Sequence, residues 1–346
     1  MYNKITPFLL LVFLLSAFSA SSQSREILLA PVKIGDQWGY INKTGKIVIN
    51  PQFDDTWGFN EGLASIKLGG KWGYIDKTGK IAIKPQFEVP DQFGSYPHDF
   101  YEGLAAIELD GKWGYIDKTG KIAIKPQFDI SWGFKEGLAV IQLGGKWGYI
   151  DKTGKIVIKP QFYGAGDFHE GLASIRSDSN WKYGFIDKTG KIVIKPQFYD
   201  AGYFQEGLAS IYLGGRDGYI DKTGQIVINP QFEDAWSFQE GLAEIKLGGK
   251  WGYIDKNGKI VIKPQFEGSG PHRFQEGLAR IQLGGKYGYI DKNGNIAIKP
   301  QFDDAWNFKG GMAYIKLGDK WGYGFIDKNG KIVIKPQFDE IRGDFN

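Results

Sequence analysis

Hydrophobic and polar residues alternate in two short segments that recur along the chain. In "LASIKL", Ala64, Ile66 and Leu68 share one face, and in "KIAIK", Ile81 and Ile83 share a face between lysines. Alternation with a period of two is typical of β-strands, whose successive side chains point to opposite sides. The chain is therefore predicted to be all-β.

The segments between these strands carry hairpin turn residues. Gly69 and Gly70 form a two-residue loop that can adopt the positive φ of a primed turn. The sequence "DKTG" places Asp76 first and Gly79 fourth, which predicts a type I turn closed by a left-handed glycine bulge. Pro85 ends the third strand, since proline donates no ladder hydrogen bond. Each unit is thus a three-stranded meander.

This unit occurs nine times, and a lone meander buries too little apolar surface to stand alone. The isoleucine of the middle strand marks the copies at Ile41, Ile75, Ile116, Ile150, Ile186, Ile220, Ile254, Ile290 and Ile326. Propellers usually have four strands per blade and four to eight blades, and no terminal strand is evident here to complete the other end. An open twisted superhelix is therefore preferred, with a closed propeller-like ring as the alternative.

The first residues are interpreted as a secretory signal peptide. One lysine precedes the short apolar run "FLLLVFLLSAF", and small residues follow it. Residues 1–23 are assigned to this signal and residues 24–346 to the repeat array, with no transmembrane segment in the mature chain. An uncleaved anchor is the alternative. The protein is expected to be exported, to the periplasm, the outer membrane or the exterior.

Composition excludes several classes of chemistry. The 43 basic and 39 acidic residues are mixed along every repeat, so nucleic acid is not an expected partner. There is no cysteine, which excludes disulfides and thiolate metal sites. The glycine-rich turns lack the residues of phosphate and calcium loops. No catalytic residue, metal site or cofactor is predicted.

Repeated polar residues are interpreted as structural. A glutamate precedes Gly-Leu in seven units, and a catalytic pair would instead be expected once. These carboxylates are expected to cap turns and connector amides. They are Glu61, Glu102, Glu136, Glu170, Glu206, Glu240 and Glu276. His98, His169 and His272 lie in three different connectors and are interpreted as solvated loop residues.

The motif "KWGYID", followed by a Thr-Gly or Asn-Gly turn and "PQF", resembles the bacterial WG-repeat (KWG-type) family over about residues 27 to 338. Five units keep Trp-Gly, at Trp38, Trp72, Trp113, Trp147 and Trp251. Others have Tyr183, Asp217 or Tyr287 instead, or two extra residues after Trp321. Such tolerance suits a packing residue. The resemblance implies an exported β-repeat protein and supplies no catalytic residues.

The connectors vary most, and four of them contain a tryptophan: Trp57, Trp132, Trp236 and Trp306. These side chains either pack on the neighbouring unit or form exposed aromatic contacts for a partner. The leading hypothesis is a non-enzymatic envelope or extracellular scaffold that binds a protein. A carbohydrate-binding module that uses the four tryptophans is the alternative.

The signal-peptide assignment predicts that the mature protein begins between Ala20 and Arg25. N-terminal sequencing of exported material tests this directly. An intact Met1 in that material would contradict the assignment.

Overall fold

The computed structural model describes residues 28–88, 99–177, 181–267, 273–318, 322–343 and 345. These residues form nine small antiparallel sheets that are arranged around a ring as the blades of a nine-bladed β-propeller. The predicted signal peptide, 1–23, lies outside the described residues. The all-β prediction is confirmed.

Every blade contains the three predicted strands. The first strands are β1 (Leu29–Ile34), β5 (Leu63–Leu68), β8 (Leu104–Leu109), β12 (Leu138–Leu143), β16 (Leu172–Arg176), β20 (Leu208–Leu213), β24 (Ala243–Leu247), β27 (Leu278–Leu283) and β31 (Met312–Lys316). The middle strands are β2 (Gln37–Asn42), β6 (Lys71–Asp76), β9 (Lys112–Asp117), β13 (Lys146–Asp151), β17 (Tyr183–Asp187), β21 (Arg216–Asp221), β25 (Lys250–Ile254), β28 (Lys286–Asp291) and β32 (Tyr323–Asp327). The third strands are β3 (Ile47–Phe53), β7 (Ile81–Phe87), β10 (Ile122–Phe128), β14 (Ile156–Phe162), β18 (Ile192–Phe198), β22 (Ile226–Phe232), β26 (Ile260–Phe266), β29 (Ile296–Phe302) and β33 (Ile332–Phe338).

In seven of the nine blades a fourth, two-residue strand is described, and it comes from the connector that precedes the blade around the ring. These short strands are β4 (Asp55–Thr56), β11 (Ile130–Ser131), β15 (Gly164–Ala165), β19 (Asp200–Ala201), β23 (Asp234–Ala235), β30 (Asp304–Ala305) and β34 (Glu340–Ile341). We number the blades 1 to 9 by their first strands, so β4–β7 form blade 2 and β19–β22 form blade 6. In blades 3 and 8 three strands are described, and residues 89–98 and 268–272 before them lie outside the described part.

The ring is closed, so the preference for an open superhelix was wrong. Strand β34 at the end of the chain pairs with β1, with Ile341 opposite Val32 and Glu340 opposite Lys33. The residues after the last "PQF" thus provide the short strand that blade 1 lacks. The alternative, a closed propeller, is the observed fold.

The hydrophobic cores lie between blades. Trp72 and Tyr74 of blade 2 pack with Phe100 and Ile107 of blade 3 in one buried cluster, and corresponding clusters recur around the ring. A further cluster joins blade 9 to blade 1 and includes Phe325. Each blade therefore depends on its neighbours for burial, as the repeat length indicates.

The glycine of the Trp-Gly pair is required by a close backbone approach. A Cβ atom on Gly73 would lie 2.5 Å from the carbonyl oxygen of Ile83, where β7 bulges away from regular pairing with β6. The position before it has no such backbone constraint and holds Trp, Tyr or Asp in different blades. In blade 9, Tyr323 lies opposite Phe338 at this position, and Trp321 lies outside the described residues.

The repeated glutamates bind the next blade. The Glu136 carboxylate accepts hydrogen bonds from the amides of Glu170 (2.6 Å) and Gly171 (3.0 Å), and lies 3.1 Å from the ammonium of Lys188. The predicted structural role at connector amides is confirmed. The corresponding ion pairs are Glu61–Lys118, Glu102–Lys152, Glu170–Lys222, Glu206–Lys256, Glu240–Lys292 and Glu276–Lys328.

The predicted glycine-bulge turn is also confirmed. Gly258 has φ +79°, and its amide donates to the carbonyl of Asp255 at 2.9 Å. The Asp255 carboxylate accepts from the amides of Asn257 and Lys259, each at 2.9 Å. An aspartate that holds three backbone groups in this way fixes the conformation of the turn.

Gly258→Val is expected to lower the free energy of unfolding by about 1 to 3 kcal/mol, because a β-branched residue resists positive φ. The new Cβ would also lie 3.2 Å from Cγ2 of Ile228 in the preceding blade. Denaturant unfolding measures the change. Asn257→Thr is the control, because blade 2 has Thr78 at this position, and it should cost little; equal stability of wild type and Gly258→Val would contradict the prediction.

Candidate binding sites in the connectors

Connector side chains from different blades meet near the axis of the ring. Arg273, which precedes blade 8, donates a hydrogen bond to the hydroxyl of Tyr203 in blade 6 at 2.9 Å. The imidazole of His169 in blade 5 stacks on the same tyrosine, with 4.2 Å between ring centroids. Side chains two blades apart in a nine-bladed ring can touch only at small radius, so this end of the connectors surrounds the axis.

Of the three histidines interpreted as solvated loop residues, the structure describes His169 alone. His169 is partly buried, and burial followed by the nearby Lys135 lowers its pKa. It packs on an aromatic ring instead of lying free in solvent. His98 and His272 lie outside the described residues.

Trp132 is the most exposed of the four predicted tryptophans. Half of its surface is accessible (50%), and the ring of Tyr101 (44% exposed) lies against the adjacent Gly133. The backbone beneath it is fixed, because the Tyr115 hydroxyl donates to the Trp132 carbonyl at 2.7 Å and the Trp132 amide donates to Val140 at 3.1 Å. We call Trp132 and Tyr101 the aromatic patch.

The other three tryptophans are partly buried between blades. Trp57 and Trp236 pack against the clusters beside blades 2 and 7. Trp306 packs against the closure cluster and stacks on Tyr314 with 4.2 Å between centroids. The four indoles belong to four different blades. Their binding role stays a prediction, and Trp132 offers the largest surface for it.

A cavity of about 220 Å³ opens where blade 6 meets blade 7. Asp217 lies in it at the position that holds Trp or Tyr in the other blades, and Asp200 and Asp234 from two short strands also line it. The aromatic rings of Tyr203 and Trp236 form further walls. The sequence shows that Asp217 replaces an aromatic residue, but this replacement alone indicates only that a packing position tolerates variation.

The carboxyl of Asp217 is perturbed by its surroundings. Burial raises its pKa to about 6, and the charges of Asp234 and Asp200 act in the same direction, while the amide of Ala235 opposes them. Among the residues that the structure describes, no cation lies within ion-pair distance of these three carboxylates. The cavity is therefore electronegative and suited to a cation.

The aromatic residues in the lining of the cavity suit an organic cation. In the described part of the chain, no group of three or more His, Cys, Asp or Glu side chains is arranged to hold a metal ion. The aromatic walls add a cation–π surface, which an ammonium or guanidinium group uses well.

The closed ring of nine sheets defines the chain as a β-propeller. A family model described as WG containing repeat matches it nine times, so the chain belongs to this family. The matched segments are 38–72, 72–113, 113–147, 147–181, 183–216, 218–251, 251–287, 287–321 and 323–346. The resemblance seen in the sequence is confirmed. No curated protein matches the chain.

Known structures resemble the fold at low identity. The crystal structure of a eukaryotic initiation factor has a TM-score of 0.65 at 11% identity, covering 93% of this chain and 98% of that one. Apo AztD from Citrobacter koseri has a TM-score of 0.43 at 12% identity, covering 91% and 96%. A streptogramin B lyase has a TM-score of 0.37 at 17% identity, covering 76% and 94%. The first likeness shows the fold alone. In the described part, no helix is long and apolar enough to cross a membrane.

Asp217→Asn is expected to stabilise the protein above about pH 6 and to have little effect near pH 4. The folded pKa of Asp217 is about 6, whereas an unfolded aspartate has a pKa of ~3.9. The folded state thus binds the proton more tightly, and stability falls as the pH rises between these values.

Solvent screening at this partly exposed group reduces the gain at pH 8 to on the order of 1 kcal/mol. Urea unfolding of both proteins at pH 4 and pH 8 measures it. Other titrating groups, such as Asp99, whose pKa burial raises to about 6, are present in both proteins and cancel. A stability difference that does not change with pH would contradict the assignment.

Proposed function

We propose that this protein is a non-enzymatic, exported binding protein that holds a partner protein against the connector end of its propeller. The aromatic patch carries the proposal. Trp132 is exposed, and the exposed ring of Tyr101 lies against the next residue, Gly133; exposed tryptophan and tyrosine side chains are typical of energetic hot spots in protein interfaces.

Rigidity of the patch supports recognition. The hydrogen bonds from Tyr115 and to Val140 hold the Trp132 backbone on the edge of blade 4. A side chain presented from a fixed backbone loses little conformational entropy on binding. In blades 2, 7 and 9 the tryptophan of the corresponding connector packs against a buried cluster, whereas blade 4 exposes its indole.

Most strand residues are constrained by packing, and the turn residues are constrained by backbone geometry. Chemistry that differs from blade to blade is therefore concentrated in the connectors, which include Tyr101, Trp132 and the short strands that line the Asp217 cavity. This distribution favours binding over a reaction at a single repeated group. A carbohydrate partner is the alternative that aromatic surfaces also fit.

Selection from a random peptide library, run beside a glycan array, tests the proposal with the purified protein. Trp132→Ala is expected to weaken binding of selected peptides by at least about tenfold, because it removes the exposed anchor. The fold should be unaffected. Binding to glycans alone, or peptide binding unchanged by the substitution, would overturn the proposal.

Two variants control this experiment. Leu143→Ala removes another exposed apolar side chain of blade 4, at the hairpin end of β12, and should leave binding unchanged. Trp251→Ala removes a tryptophan that is only 4% exposed and should lower stability by about 3 to 5 kcal/mol. Together they separate loss of contact from loss of fold.

A further inference from the structure

Blade 6 has small or short side chains at three positions around its cavity. Gly202 follows the short strand β19, Ser210 lies in β20, and Asp217 replaces the aromatic residue of β21. Gly202 and Ser210 are close enough that a Cβ on the glycine would lie 2.6 Å from the serine Oγ. The cavity results from the coincidence of these three residues.

In blade 1 the same place is filled by an arginine of the chain itself. Arg342 follows β34 at the position of Gly202, and its guanidinium lies over the ring of Trp38, 4.6 Å from the centroid. It pairs with Asp55 of the next short strand, the counterpart of Asp234. It also lies 3.1 Å from Glu340, the counterpart of Asp200.

In blade 8 the site that corresponds to the cavity is filled by an arginine from the first strand, β27. Arg280 of β27 stands at the position of Ser210, and its guanidinium lies 5.1 Å from the ring centroid of Tyr287. It donates to the carbonyl of Ala305 and lies 3.9 Å from Asp304. These two residues correspond to Ala235 and Asp234 beside blade 6. In blades 1 and 8, the site that corresponds to the Asp217 cavity thus holds a guanidinium group, although the two arginines come from different backbone positions.

We propose that the Asp217 cavity binds the guanidinium of an arginine side chain supplied by a partner protein. Asp234, Asp200 and the Ala235 carbonyl stand where the corresponding groups meet Arg342 or Arg280 in blades 1 and 8. Asp217 adds a carboxylate where those blades have an aromatic ring. The partner as the source of the arginine rests on the proposed function.

Arg273 also lines the cavity and is the one cation among its described lining residues. Arg273 opposes a second cation, but its guanidinium is turned to the Tyr203 hydroxyl and lies 5.6 Å from the Trp236 ring centroid. Three carboxylates outweigh this one charge.

The test uses N-acetyl-L-arginine N-methylamide as the probe and the neutral citrulline analogue as its isostere. Calorimetric titration into the purified protein is expected to show binding of the arginine probe at least about tenfold tighter than that of the citrulline probe. Both probes have the same shape, so the ratio reports the charge. Equal affinities would overturn the proposal.

Variants locate the binding. Asp217→Asn keeps the size of the side chain and should weaken the arginine probe by about tenfold, as expected when a charge-assisted hydrogen bond becomes neutral. Asp217→Trp restores the residue of five other blades, fills the cavity and should abolish binding. Asp304→Asn in blade 9 changes the residue that corresponds to Asp234 and should have no effect. Unchanged binding in both Asp217 variants would contradict the assignment.

The outcome is separable from that of the proposed function. If selected peptides bind through Trp132 but the arginine probe does not bind, the cavity assignment fails and the scaffold proposal stands. If the probe binds at Asp217 and no peptide is selected, the cavity takes arginine and the protein-partner proposal fails. Circular dichroism of each variant confirms that a loss of binding is not a loss of fold.

Discussion

Hydrophobic contact between neighbouring blades is the interaction on which the rest of the structure depends. A single sheet has two faces and no interior, so Ile66 or Ile75 is buried only because another blade covers it. An open array would leave an apolar face uncovered at each end. Closure joins these two faces through Val32, Tyr314 and Phe325. The two-residue pairing of β34 with β1 sets the register of this closure, while the buried contacts between blades 9 and 1 supply most of its burial.

The strands and turns could be predicted because each depends on neighbouring residues. Alternation in "LASIKL" and the Asp-to-Gly turn that ends at Gly258 are local patterns, and both are present in the structure. Closure could not be predicted in this way. It depends on the strand Glu340–Ile341, which is too short to show any periodicity, and on the pairing of its Ile341 with Val32 at the other end of the chain. The segments predicted to be connectors therefore contain residues that form the short strand of the next blade.

The candidate sites were predictable only as regions. The flanking sequences of Trp132 and Trp306 are similar, yet one indole is exposed and the other stacks on a ring. The backbone amide of Trp306 donates to the carbonyl of Tyr314, whose ring stacks on the indole, whereas the amide of Trp132 donates to the carbonyl of Val140, which has no ring to stack on it. The cavity likewise requires Gly202, Ser210 and Asp217, which lie in three separate elements. No single one of them signals a cavity in the sequence.

A repeat protein can place such a cavity in one blade because its stability is distributed over many interfaces. A carboxylate at the aromatic position forfeits the burial of a large ring, and burial raises the pKa of the new group because the charged form is poorly solvated. Both effects weaken the contact between blades 6 and 7, whose cluster still holds Tyr219, Phe232 and Phe238. The other interfaces of the ring keep their aromatic contacts, so one weakened interface does not open it. The other eight blades therefore show the aromatic packing that blade 6 lacks at Asp217. Arg342 shows that the corresponding position in blade 1 holds a guanidinium group.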